Sequence, residues 1–154
     1  MVDVVLSRIV HLVFAALWAG SVVTVALVVL PLARDGAFHR TEPLLGITTT
    51  VRGFSRLSAL VLLLTGGHLA AAGYTADGLV ETTNGQLVLL MTLLWLVLTG
   101  LVEVGSAKMV DGLDAKKLRE PAVGALPIFR AAAIVAVLLL VVAGAITAGA
   151  SQLV

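Results

Sequence analysis

Two histidines, His11 and His68, stand inside otherwise apolar stretches, where a polar ring must find a partner or a ligand. Met91 and Glu103 lie in a third such stretch, and Arg8 is one helical turn before His11. A neutral imidazole is a strong ligand for haem iron and for copper. A thioether suits Cu(I), and haem iron also accepts a histidine–methionine pair. The chain has no cysteine, which excludes disulfides, thiolate metal sites, iron–sulfur clusters and cysteine nucleophiles. It carries no P-loop, no dinucleotide fingerprint, no HExxH pair and no paired carboxylates in an apolar stretch. Gly66-Gly67 interrupts an apolar helix and is not a nucleotide motif. No CxxCH attachment sequence is present, so a haem here would be the non-covalent haem b.

The elements that must position these groups are membrane spans. Charged residues make up 12% of the chain and hydrophobic ones 60%, with a mean hydropathy of +1.12. A soluble domain carries about 25% and about 45–50% respectively. Apolar runs predict four helices over residues 4–30, 51–74, 85–107 and 126–150, each meeting the roughly 20 residues that a bilayer requires. Pro31 ends the first, and Arg52 and Arg56 set the start of the second near Val51. Asp77-Gly78 marks a turn in the second loop, while the charged third loop, from Lys108 to Pro121, has room for an interfacial helical turn. The first run is too long for the apolar part of a signal peptide and lacks a basic leader, so it is expected to stay in the mature fold.

Nine of the ten basic residues flank the first and third loops: Arg34, Arg40, Arg52, Arg56, Lys108, Lys116, Lys117, Arg119 and Arg130. Arg8 is the exception. The positive-inside rule then puts both termini outside the cytoplasm. The expected fold is a single-domain, all-α, antiparallel four-helix bundle, multi-pass in the cell membrane. Net charge of +1 gives no reason to expect a nucleic-acid partner.

This topology brings distant residues to similar depth. His11 and His68 each fall roughly 10 Å inside the outer boundary, and Met91 belongs to the same layer. Gly144 is the corresponding position on the fourth span. Gly66, Gly67, Ala70 and Ala71 surround His68, and Ala15 lies one turn from His11, so small residues leave a slot for a flat macrocycle. Arg8 is placed to meet an anionic group such as a haem propionate. Intramembrane histidines also serve as interhelical hydrogen-bonding groups, and small residues as packing surfaces, so both readings stay open for the pair. Met91 also suits core packing, Arg8 an interfacial anchor, and Glu103 an ion pair with Lys108 or Arg56, or a place on a proton path. Trp18 and Trp95 lie well inside the bilayer and suit bundle packing or the side of a porphyrin.

The stretch GFSRLSALVLLLTG, then a short loop and TTNGQLVLLM, resembles the membrane domain of the copper-resistance protein D family. HLVFAALWAG looks like that family's opening histidine–tryptophan–glycine pattern, and the resemblance covers nearly the whole chain, less closely in the fourth span. It implies copper uptake or resistance with a periplasmic copper-binding partner. The chain is also similar to four-helix membrane protoporphyrinogen oxidases, which bind haem and whose first-helix histidine corresponds to His11. In both families the position aligned with Met91 is commonly lysine, so the methionine is a departure. His68 adds a second histidine that points away from that enzyme.

The leading expectation is therefore a b-type haem held by His11 and His68, exchanging electrons with a membrane quinol or a redox protein. Copper binding through His11, His68 and Met91 is the alternative. Met109 and His39 are then the only exit-site candidates, and the inner half has no ligand beyond Glu103. A noncatalytic assembly subunit of a larger membrane complex, or a homo-oligomer, is also compatible with so small a chain.

Overall fold

The computed structural model describes residues 1–149, and these fold into a four-span helical membrane bundle with no strand among them. The first rod combines α1 (Val2–Thr24), a π-helical turn (Val25–Val29) and α2 (Leu30–Arg34). The others are α3 (Thr41–Gly73), α5 (Thr83–Asp114) and α6 (Arg119–Thr147); a short helix, α4 (Ala76–Glu81), connects α3 to α5. Each rod is long and apolar enough to cross a bilayer. The helices pack as a ring in chain order, α1 on α3, α3 on α5, α5 on α6 and α6 back on α1. α1 and α5 thus occupy one diagonal. One end of the bundle carries α4, and the other carries the two basic loops.

Every rod runs further towards the basic end than the sequence predicts. Pro31 does not stop the first helix. Leu30 N–H already bonds to the Val25 carbonyl in the wider π register, and Pro31 then lies in the first residues of α2, where a missing donor costs least. The second rod begins at Thr41, not near Val51, because Arg52 and Arg56 are neutralised by Glu103 on α5 and need not mark a boundary. α5 continues to Asp114 and α6 starts at Arg119, leaving a short connection in which Lys116 takes a left-handed φ of 61°. The Asp77-Gly78 turn is instead part of α4, nucleated by the Thr75 hydroxyl accepting from Gly78 N–H at 3.1 Å. Ala150, the expected end of the fourth span, lies outside the described residues.

Packing is uneven along the bundle axis. The fully buried side chains Trp18, Leu30, Leu44, Leu98, Met109, Leu113 and Phe129 all lie from mid-bundle to the basic end. There Gly105 receives the Phe129 ring and Gly112 receives Pro121; a Cβ would come within 2.8 Å and 2.5 Å of those rings respectively. At the α4 end, by contrast, α1 has no buried residue before Trp18 and α3 none beyond Leu62. On α5 only Gly85, beneath α4, is buried before Leu98.

The rods exceed the hydrocarbon thickness. From Thr83 to Glu103 the rise is about 30 Å, and from Glu103 to Asp114 about a further 16 Å. The charged layer of Arg52, Glu103 and Arg130 therefore matches the hydrocarbon boundary, with a helical extension beyond it. In the loop after α2, the Arg34 guanidinium hydrogen-bonds Asp35 at 2.8 Å and holds its carboxyl below the usual carboxylate range.

Candidate functional site at the α4 end

His11 lies on the ring-facing stripe of α1 with Val4, Ser7, Phe14, Trp18 and Val22, at helical spacing. Its Nδ1 is 2.8 Å from Thr65 Oγ1 on α3. The Thr65 hydroxyl donates its one hydrogen to the Val61 carbonyl oxygen, 2.7 Å away. The oxygen must then accept from His11, which puts the imidazole proton on Nδ1 and leaves Nε2 with a free lone pair. Gly66, the neighbour of Thr65, provides the room: a Cβ there would stand 3.0 Å from His11 Cε1. A ring oriented through one nitrogen, with the other unprotonated, is the usual state of a metal-ligating histidine.

His68 is placed differently. Its side chain is 44% exposed, and Nε2 lies 3.4 Å from Asp3 Oδ2 near the start of α1. Asp3 also accepts from the Met1 amine at 3.0 Å. Asp3, the α1 partner of His68, and His11 are roughly 12 Å apart along α1. α1 and α3 are in direct contact at His11 and Gly66, so nothing flat fits between those two helices at that level. The two histidines share the α1–α3 seam without sharing a partner.

Met91 is half-buried on the inward stripe of α5 with Val88, Trp95 and Leu98, on the helix diagonal to α1. Among the described residues, the buried indole Nε1 of Trp95 has no hydrogen-bond partner, nor does Ser58 Oγ on α3. Trp18 Nε1, in contrast, donates to Ser55 Oγ at 2.8 Å in the core. Arg8 is exposed and makes no ion pair among the described residues, and a Cβ on Gly144 would meet nothing within 4 Å. No group of three or more histidine, cysteine, aspartate or glutamate side chains clusters as a metal site among the described residues.

Glu103 pairs with Arg56, as one of the two expectations had it, and also with Arg52; Lys108 instead lays its stem along Gly124. The residue that sequence reasoning missed is Thr65. Its only signal was a hydroxyl three positions before His68, in a helix whose rotation the sequence does not reveal.

The chain matches no family model, no curated protein and no solved structure.

Proposed function

We propose that this is a membrane-embedded redox protein whose α4-end half would hold a b-type haem through His11 Nε2. The observation that carries the reading is the His11–Thr65–Val61 hydrogen-bond chain, which leaves Nε2 as an unprotonated donor inside a membrane bundle. In the same half α1, α3 and α5 have few buried side chains, and this looser packing favours it over the other half as the place for the group. When bound, the haem would supply a one-electron iron couple to a membrane quinol or a redox protein.

The protein's own residues do the positioning. Thr65 fixes the tautomer and angle of His11, and Gly66, having no Cβ, leaves room for the ring against α3. Trp18 and Leu98 close the floor towards the packed half. Arg8, exposed one turn further out on α1, suits a carboxylate at the membrane surface. Met91, half-buried on the inward stripe of the diagonal α5, would be better placed than the exposed His68 on the adjacent α3 to hold the group together with His11.

The test is an absorption spectrum of the full chain purified in mild detergent after expression with ample haem. A Soret band with sharp reduced α and β bands, extractable by acid acetone, is expected. His11→Ala should abolish it, Met91→Leu should change its ligation signature, and His68→Ala should leave it intact. A colourless protein, whether copper-loaded or empty, overturns the haem reading. A spectrum insensitive to His11→Ala overturns the ligand assignment.

A further inference from the structure

On another face of the bundle, the π turn of the first rod and α6 leave an open furrow of about 580 Å³. Its walls are Val23 and Leu27 on one side and Ala133, Ile134 and Val137 on the other, with Arg130 also lining it. Ala132 and Ala136, both fully buried, let α6 press close behind the furrow, while Leu27, Ile134 and Val137 remain 50–64% exposed. Along α6 the lining positions follow one face for about 12 Å, from Arg130 towards mid-membrane.

The charge beside this apolar surface has no partner among the described residues. Arg130 is exposed on α6, about 16 Å from the helix start at Arg119 and level with the charged layer. Among the described residues Glu103 is the one carboxylate in that layer, and Arg52 and Arg56 both bind it. Arg130 forms no ion pair among the described residues. A cation at the hydrocarbon boundary with an apolar channel running inward from it complements one kind of molecule: a headgroup with net negative charge joined to an acyl chain.

The geometry points to this furrow as a binding site for an anionic phospholipid, its phosphate on Arg130 and one acyl chain along Leu27, Ile134 and Val137. The site is independent of the histidines. It differs from general attraction at the basic end because charge and furrow must act together.

The full chain should be reconstituted in vesicles of phosphatidylcholine and phosphatidylglycerol at 4:1, extracted in mild detergent, and its retained lipids quantified by mass spectrometry. Phosphatidylglycerol should be enriched over the vesicle ratio, and Arg130→Gln should lower that enrichment about fivefold. Val137→Trp, which fills the furrow from an exposed position and keeps the charge, should lower it as well. Lys116→Gln, which removes an exposed charge from the basic loop, should leave it unchanged. Retention at the vesicle ratio overturns the proposal. So does enrichment that survives Arg130→Gln, or that falls equally with Lys116→Gln.

Discussion

The Nδ1 atom of His11 lies 2.8 Å from the Thr65 hydroxyl, and that hydroxyl is already committed as a donor to the Val61 carbonyl. The direction of one hydrogen bond therefore decides which imidazole nitrogen is free. It also joins α1 to α3 in the thinly packed half of the bundle, where few other polar contacts cross between helices.

Removing the acceptor should expose this dependence. Thr65→Val keeps the shape but leaves the ring unanchored, and loss of such an orienting partner typically costs about 10–100-fold in affinity. If the proposed haem binds, its retention under dilution should fall by that order, and Thr65→Ser should restore most of it. Gly66→Ala should give a milder effect of the same kind, because a Cβ 3.0 Å from Cε1 makes the ring shift by tenths of an ångström. Identical retention in Thr65→Val and the parent would show that the hydrogen bond serves packing alone.

Glu103 accepts from Arg52 Nε at 2.9 Å and from Arg56 Nε at 3.1 Å. Glu103→Gln would leave two guanidinium groups facing each other at the hydrocarbon boundary. Breaking a fully buried pair costs about 3–5 kcal/mol; here the side chains are 26–63% exposed, so about 1–2 kcal/mol is expected. Arg52→Gln should cost more than Arg56→Gln, since Arg52 is the less exposed. Reversible unfolding in mixed micelles would read both differences.

The bias of basic residues predicts that α4 faces outside and the connection after α5 faces the cytoplasm. The chain has no native cysteine, so single replacements report cleanly. In intact cells a membrane-impermeant maleimide should label Thr82→Cys, and Lys116→Cys only after permeabilisation. Labelling of both from the same side would contradict the four-span topology, and exchanged accessibility would reverse the orientation.

Lys116 holds a φ of 61° at the end of α5, where Lys116 N–H bonds to the Leu113 carbonyl and Lys117 N–H to the Gly112 carbonyl. This is the left-handed position that glycine occupies without a Cβ penalty. Lys116→Gly should stabilise the protein by about 1 kcal/mol, raising Tm by about 2–4 °C. An unchanged or lower Tm would mean that the gain is cancelled by the greater freedom of the unfolded chain.

The number of spans, their order and the clustering of basic residues at alternate loops are local sums along the chain, and the sequence by itself determined them. So too were the excluded chemistries, since a residue type that is absent cannot act. The boundaries were less legible: Arg52 and Arg56 read as the edge of a span until Glu103, 51 and 47 positions away, was found beside them. Pro31 read as a stop until the π turn before it moved the hydrogen-bond register. Equal depth suggested that His11 and His68 meet, but depth is only one coordinate. Rotation about each helix axis turns His11 to Thr65 and leaves His68 half exposed beside Asp3. A soluble helix reveals its inward face by alternating polar and apolar sides; in lipid both sides are apolar, so that signal is erased. Which side chains look into the ring was therefore decided by close packing between helices, through contacts such as Gly66 against His11 and Gly105 against Phe129.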